Sequence, residues 1–273
     1  MKIGVIGTGS MGTILIESWL DTEIICPEQL IIYNRTSEKA ERIQRQFPSI
    51  HLAENPTQVV QQADITFLCV KPPQFPNVIH EIQPVVARND LFVSITSPIS
   101  VIQLEEQLNC KVARVIPSIL NRVHAGSTLL SFGTRCTETD KKTLTDLMKT
   151  ISEPLLIDEN ITRVSSDIVS CGPAFFSYLL QEFINASVRQ TEISEEEATI
   201  LATNMLVGMG KLLEKRHYSL STLQERVCVP GGITGEGLKV LDNELGPIFD
   251  HLFQKTHKKY DDERSKLKFL FKA

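Results

Sequence analysis

The sequence predicts an α/β protein in two parts: a doubly wound parallel sheet followed by an all-helical half. Two observations support this prediction. Short apolar runs alternate with helical patterns up to about residue 158, and beyond that point no strand pattern follows. Strands that alternate with helices form βαβ units around a parallel sheet. We therefore expect one domain over residues 1–158 and an all-helical domain over residues 159–273.

Each predicted strand is a short run rich in Val and Ile, as expected for strands that helices cover on both faces. The predicted strands are residues 2–6, 29–33, 65–70, 91–95, 112–116 and 155–157. Helical patterns lie between them. Met11, Leu15 and Trp19 recur on one face of the first helix, and residues 36–47 form a charged amphipathic stretch.

The helical half carries unusually wide apolar surfaces. Residues 176–184 form one broad stripe, and residues 198–213 are apolar on more than one face. A helix that is apolar nearly all round must be buried on all sides, and a helical half of this length offers only a small core. We infer a homodimer interface, the alternative being a helix buried within its own domain.

Composition excludes several classes of protein. The 273 residues carry 28 basic and 33 acidic side chains, a net charge of −5, with no Lys/Arg-rich block that would indicate nucleic acid binding. Apolar runs are too short for a membrane span. The six scattered cysteines form no CxxC pair, the histidines show no metal-ligand spacing, and the N-terminus resembles no signal peptide. We expect a cytoplasmic protein without a metal site.

The most specific motif is Gly7-Thr8-Gly9-Ser10-Met11-Gly12, which joins the first predicted strand to the first helix. The first glycine allows the tight turn, the second lets a pyrophosphate approach the backbone, and the third permits close helix–strand packing. In a βαβ context this predicts a Rossmann-type dinucleotide site, the alternative being a glycine-rich turn without a ligand. The expected cofactor-binding residues here are Ile6, Gly7, Thr8, Gly9, Ser10 and Met11.

The end of the second predicted strand indicates which dinucleotide binds. A carboxylate there would hold the ribose 2′-hydroxyl of NAD and repel a 2′-phosphate. Instead the sequence reads Asn34-Arg35-Thr36-Ser37, with no acid before Glu38. Arg35 offers a planar fork for phosphate, and its neighbours offer neutral donors. This favours NADP, with NADPH preferred over NADH, unless Arg35 is merely a solvated residue at a helix start.

A second glycine-rich segment lies in the helical half. Residues 230–237 contain four glycines and expose backbone N–H groups at a helix start, a suitable place for an anion. A flexible linker is the alternative. Two proline-containing loops, residues 70–73 and 96–98, follow predicted strands at the edge where ligands bind in open α/β sheets.

Together these motifs resemble the pyrroline-5-carboxylate reductase family over nearly the whole chain. Within that family the sequence looks most like the ComER-type branch, through residues 114–118, 166–174, 205–211 and 234–237. The features shared with the family are the glycine fingerprint at 3–12, Asn34-Arg35-Thr36, Asn55 in a Glu-Asn-Pro turn, and residues 64–72, 114–117, 172–174 and 230–234.

The resemblance implies NADPH-dependent reduction of the C=N bond of 1-pyrroline-5-carboxylate, or a close cyclic imine acid, to L-proline. It also implies a dimer through the helical domain, with dimers assembling into a ring in some members. Thr234 is expected to be the catalytic residue, by hydrogen-bonding the ring nitrogen. The other residues expected at the cofactor are Asn55, Val70, Lys71 and Pro72, and those at the substrate are Gly231, Gly232, Gly235 and Cys171.

The loops expected around the substrate depart from the family pattern. Ser-Ile-Thr-Ser-Pro at 94–98 replaces Ser-Ile-Ala-Ala-Gly, and Ile-Pro-Ser-Ile-Leu at 116–120 replaces Met-Pro-Asn-Thr-Pro. Cys171 and Val229 stand where the family has serine. An NADP-binding homologue with a regulatory, non-catalytic role is therefore an alternative. A third is a hydroxy-acid dehydrogenase, for which Lys211 and Glu236 are weak candidates to move the hydroxyl proton.

Overall fold

The computed structural model describes residues 1–271, without the side chains of residues 269 and 270; the last two residues of the predicted helical domain lie outside it. Within this range one sheet has the strand order β3-β2-β1-β4-β5-β6-β7-β8. Neighbouring strands are parallel except β6 and β7, which are antiparallel. The strands are β1 Ile3–Ile6, β2 Leu30–Tyr33, β3 His51–Leu52, β4 Ile65–Leu68, β5 Leu91–Ser94, β6 Lys111–Ile116, β7 Ser127–Phe132 and β8 Glu153–Leu156.

Helices cover both faces of the sheet, which confirms the doubly wound α/β prediction. The helices are α1 Ser10–Asp21, α2 Ser37–Gln46, α3 Pro56–Gln62, α4 Phe75–Ile82, α5 Val101–Gln107, α6 Glu138–Lys149, α7 Thr162–Ser166, α8 Gly172–Gln190, α9 Glu195–Glu214, α10 Leu220–Val227, α11 Ile233–Leu245 and α12 Ile248–Leu270. Trp19 of α1 and Met148 of α6 belong to one buried cluster, and Val59 of α3 and Phe75 of α4 to another.

All six predicted strands form, with ends that differ by one or two residues. The sequence analysis missed β3, which is only two residues long, and β7, in which serine and threonine interrupt the apolar run. The expectation of strands buried on both faces is wrong for β8, where Leu155 and Leu156 are 48% and 72% exposed. Because β8 is an edge strand, it lacks a neighbour on one side.

The chain packs into two compact units whose borders differ from the predicted division. The first contains Met1–Pro173 and the chain from Lys255 onward, and the second contains Ala174–Gln254. The change to helical structure does fall near residue 158, since β8 ends at Leu156. The packing border is different because α12 returns to the first unit, where its Leu267 joins a buried cluster beneath the sheet.

The second unit has a small core and large exposed apolar faces. Ile184 of α8 packs with Ala198 and Ala202 of α9. On the same α9, Leu201 and Met205 are 62% and 50% exposed. The alternative that this helix is buried within its own domain is therefore wrong, because its apolar face is exposed. No helix in the described part of the chain has the length and apolarity needed to cross a membrane.

Candidate functional site

A cavity of about 410 Å³ opens at the carboxyl ends of β1, β2 and β4. These strands meet where the strand order reverses, which is where open α/β sheets bind ligands. Eight of the residues predicted to bind the cofactor line it: Ile6, Gly7, Gly9, Asn34, Arg35, Thr36, Val70 and Lys71. The structure thus brings together parts of three loops that lie up to 65 residues apart in sequence.

The glycine loop has the geometry that a phosphate group requires. Gly7 has a φ of 103°, and a Cβ at this position would lie 2.8 Å from the backbone of Cys69. A Cβ on Gly12 would overlap the Gly7 carbonyl oxygen, so this glycine permits the close packing of α1. A Cβ on Gly9, in contrast, would meet no atom within 4 Å. Of these three glycines, only Gly9 therefore faces open space.

The start of α1 leaves polar groups for a ligand. Gly9 is the N-cap residue of α1 and has no side chain to accept from the N–H groups of the first turn, which include Ser10 and Met11. Thr8 is buried, and its hydroxyl has no hydrogen-bond partner within the described residues. Backbone N–H groups and the positive end of the helix dipole favour an anion here. A dinucleotide pyrophosphate fits these groups.

Asn34 lines the cavity and is also hydrogen-bonded to the glycine loop. Its side-chain oxygen accepts a hydrogen bond from the backbone N–H of Thr8 at 2.9 Å, and its amide nitrogen donates to the carbonyl of Thr36 at 2.9 Å. The Gly7 N–H donates to the Tyr33 carbonyl at 2.8 Å. The end of β2 is therefore tied to the glycine loop, which holds Arg35 and Thr36 at the rim of the cavity.

Lys39 adds a cation beside Arg35 that the sequence analysis missed. It lies one helical turn after Arg35, near the start of α2, and lines the cavity. Neither residue forms an ion pair with any described acidic residue. The four-residue spacing from Arg35 across the helix start is the signal that could have identified Lys39.

The opposite wall comes from the loop after β4 and from α4. Gln74, Asn77, Val78 and Glu81 line the cavity at a spacing of three and four residues, which is one face of a helix. Cys69 also lines it, and burial raises the pKa of this thiol well above its usual range, so the group stays neutral. The sequence analysis missed this wall, although the polar face of α4 could have been found from its helical period.

Asn55 and Pro72 lie near the cavity without lining it. The Asn55 side chain caps α3 by accepting from the Gln58 N–H at 2.8 Å. Pro72 begins a 3₁₀ turn at Pro72–Gln74, in which the Gln74 side chain accepts from the Lys71 N–H at 3.2 Å. Both residues shape the loops that carry cavity residues.

The predicted substrate residues are divided between the two units. Gly231, Gly232, Thr234 and Gly235 share one turn in the second unit, where Gly232 is the N-cap residue of α11 and Gly231 has a φ of 73°. Thr234 is exposed. This turn has the features expected of an anion-binding helix start.

Cys171 lies in the first unit, at the end of a π-helical turn formed by Asp167–Cys171. An Arg163 guanidinium nitrogen lies 3.5 Å from the Cys171 sulfur and 2.6 Å from an Asp167 carboxylate oxygen. Burial raises the pKa of the Cys171 thiol, and Arg163 partly opposes this shift. The neutral thiol therefore accepts a hydrogen bond where the family serine would be.

Family models match both parts of the chain. The model for pyrroline-5-carboxylate reductase dimerisation matches residues 159–262, and the model for NADP oxidoreductase, coenzyme F420-dependent, matches residues 2–98. ComE operon protein 4 of Bacillus subtilis (strain 168) is 48% identical over 271 residues, 99% of each chain. Pyrroline-5-carboxylate reductase 3 of the same strain is 30% identical, over 95% of this chain and 96% of the relative.

Solved structures of low identity share the fold. A pyrroline carboxylate reductase from Plasmodium falciparum with NADP bound has a TM-score of 0.81 at 23% identity, over 99% of this chain and 98% of the other. A pyrroline-5-carboxylate reductase from Coxiella burnetii has a TM-score of 0.83 at 22% identity, over 100% and 99%. With relatives of 48% and 30% identity matching nearly end to end, the chain belongs to the pyrroline-5-carboxylate reductase family of oxidoreductases.

Proposed function

We propose that the protein is an NADPH-dependent imine reductase that acts on 1-pyrroline-5-carboxylate, or on a closely related cyclic imine acid, in the cytoplasm. The observation that carries the proposal is the cavity at the sheet edge, where the open space over Gly9 adjoins the cations Arg35 and Lys39. The relative named pyrroline-5-carboxylate reductase 3, which matches nearly end to end, supports the substrate class.

The cation pair supports NADP rather than NAD as the cofactor. Arg35 and Lys39 line the cavity beside the residues that end β2, and the segment 34–37 holds no carboxylate. A ribose 2′-phosphate at this place would meet two positive charges, whereas a 2′-hydroxyl would find no carboxylate at the end of β2, where NAD sites provide one. NADPH is therefore expected to bind more tightly than NADH.

The chemistry needs few protein groups. Reduction of the C=N bond requires a hydride at carbon, which the nicotinamide supplies when bound, and a proton at nitrogen. The Gly232 N–H already donates to the Val229 carbonyl at 2.9 Å, so the substrate carboxylate would accept from the first N–H groups of α11. The Thr234 hydroxyl would hydrogen-bond the imine nitrogen. The main task of the protein is then to orient two rings, an effect worth about 7–11 kcal/mol in well-oriented systems.

The direct test is loss of absorbance at 340 nm when the protein is mixed with NADPH and 1-pyrroline-5-carboxylate. Thr234→Val is expected to lower kcat at least tenfold, and Thr234→Ser, which keeps the hydroxyl, is expected to retain most activity. An absence of turnover by the wild-type protein that still binds NADPH would overturn the reductase proposal.

The cofactor preference is tested at Arg35. Loss of a charge-assisted hydrogen bond costs about 1.5–3 kcal/mol, so Arg35→Gln should raise the Kd for NADPH roughly 10- to 150-fold. The Kd for NADH should stay within about twofold of the wild type. Arg88→Gln is the control, because Arg88 is exposed and does not line the cavity. Equal losses for both cofactors would refute a role in phosphate recognition.

A second candidate function is NADP binding without turnover, in a regulatory role. The loop after β6 favours it. Ser118, which stands where the family has asparagine, is fully buried, and its hydroxyl donates to the Val169 carbonyl at 2.8 Å. This side chain is used in packing. Tight NADPH binding, with no reduction of any cyclic imine acid tested, would favour this candidate.

The helical unit is proposed to form a homodimer, and dimers to assemble into a ring. Large apolar side chains remain exposed on α8 and α9, among them Phe183, Leu201 and Met205. The match of residues 159–262 to the family's dimerisation model supports a copy of the same chain as the partner. Light scattering should give a dimer or a multiple of it, and Leu201→Glu should yield monomers.

A further inference from the structure

The loop after β5 is fixed at the carbonyl oxygen of Ser97. Two side chains from different elements donate to this atom. The Tyr260 hydroxyl of α12 lies 3.0 Å away, and an Arg114 guanidinium nitrogen from β6 lies 3.3 Å away. The next residue, Pro98, is buried and has a fixed φ. The loop therefore has little conformational freedom.

Tyr260 is itself held in place on several sides. The guanidinium groups of Arg163 and Arg264 lie 5.4 and 5.6 Å from the centre of its ring, within cation–π distance. The ring is buried, with 7% of the residue exposed. Burial also raises the pKa of the Tyr260 phenol, so the hydroxyl stays protonated and remains a donor.

Arg114 is the second side chain that holds the loop after β5. Its side chain is fully buried, and it donates to the Thr162 hydroxyl at 2.7 Å and to Glu159 at 2.8 Å. Both bonds come from one guanidinium nitrogen, and the other donates to the Ser97 carbonyl and, also at 3.3 Å, to the second Glu159 oxygen. Because Arg114 is committed to this network, Tyr260 is the donor to Ser97 that can be removed with the least damage to the fold.

The position of this loop points to a role in cofactor binding, and that role rests on the proposed function. The cavity with the phosphate-selecting cations lies at β2, and the glycine loop follows β1. The strand order continues from β1 through β4 to β5. A dinucleotide whose adenosine half lies at β2 and whose pyrophosphate lies at β1 therefore extends its nicotinamide half toward β4 and β5.

We propose that Tyr260 is a positioning residue for hydride transfer: it acts through the Ser97 carbonyl to hold the loop of residues 95–98 as a rigid wall for the nicotinamide half of the cofactor. The C-terminal helix thereby contributes to the cofactor geometry although it lies at the far end of the sequence. Tyr260 touches neither the reacting carbon nor the hydride.

The experiment compares a whole cofactor with a fragment of it. Tyr260→Phe keeps the ring and removes only the hydroxyl, and Tyr218→Phe in the second unit is the matched control. The Kd for NADPH and for 2′,5′-ADP, which lacks the nicotinamide half, are measured by fluorescence and calorimetric titration. Thermal unfolding and hydrogen exchange of the peptide covering residues 94–99 are measured on the same proteins.

In Tyr260→Phe we expect the Kd for NADPH to rise three- to tenfold, that for 2′,5′-ADP to stay within twofold, and exchange in the loop to accelerate. Equal changes in both Kd values, or no change in either, would overturn the proposal. These readouts need no turnover. A wild-type protein that binds NADPH but reduces no imine would refute the proposed reductase and leave this test intact, whereas failure to bind NADPH would overturn both.

Discussion

Gly9 and Gly12 offer a paired test of the cofactor site, because the same substitution should act on binding at one position and on folding at the other. The backbone at Gly9 has φ −74° and ψ −168°, an extended conformation that alanine adopts without strain. A Cβ there meets no atom of the protein within 4 Å, so it would occupy the space expected to receive the pyrophosphate. A Cβ on Gly12 would overlap the Gly7 carbonyl oxygen.

The magnitudes follow from this geometry. In Gly9→Ala, a weaker N-cap costs about 0.5–1 kcal/mol, and the smaller entropy of the unfolded chain returns about 0.4–1 kcal/mol. The free energy of unfolding should therefore change by less than about 0.5 kcal/mol. Displacing a phosphate from one backbone N–H loses about 1.5–3 kcal/mol, which raises the Kd for NADPH roughly 10- to 150-fold.

Urea unfolding measures the stability of both variants, and fluorescence titration measures their Kd for NADPH. Gly12→Ala should lose about 1–3 kcal/mol of unfolding free energy, because an extra methyl group must be forced against backbone. If Gly9→Ala bound NADPH as tightly as the wild type, the pyrophosphate could not lie over the glycine loop. Lost stability in Gly9→Ala would instead show that the loop is more tightly packed than the structure describes.

Two further predictions concern stability. Asp167→Asn should lower the free energy of unfolding, measured in urea, by about 3 kcal/mol. The reason is that the buried carboxylate pairs with Arg163 and accepts from Thr256 at 2.7 Å. The control Asp146→Asn, at an exposed residue, should lower it by less than about 0.5 kcal/mol. Burial raises the pKa of the Cys110 thiol to about 12, so stability should fall between about pH 9 and 12, where the unfolded chain loses a proton that the folded chain keeps. Cys110→Ala should flatten that decline, and a slope unchanged by the substitution would contradict this assignment.

The lining of the candidate cofactor cavity could largely be predicted from the sequence because its determinants are local. The glycine motif, the strand before it and the residues 34–36 are short contiguous segments, and the sheet brings their ends together by topology alone. Lys39 and the polar face of α4 were missed because helical spacing identifies a face of a helix but not what that face points toward. The strand β7 was missed because its Ser and Thr residues break the apolar run.

The role of α12 could not be predicted because it depends on contacts far apart in sequence. Tyr260 and Ser97 are 163 residues apart, and Tyr260 belongs to no motif that the sequence analysis identified. The sequence divides the chain where strands give way to helices, whereas packing divides it where the chain leaves the first unit after Pro173 and returns at Lys255. A periodic pattern identifies the apolar face of a helix without identifying the surface it packs against.

The substituted loops are best understood by what each new side chain contacts. Pro98 stiffens a loop that Tyr260 and Arg114 already hold, so it reinforces an existing geometry. Ser118 turns inward to the Val169 carbonyl, and Cys171 accepts from Arg163. These three replacements lie in the first unit and outside the glycine loop. We expect changes of this kind to alter the shape offered to the proposed substrate and to leave the glycine loop intact, so a series of cyclic imine acids of different ring size is the panel that tests the proposed function.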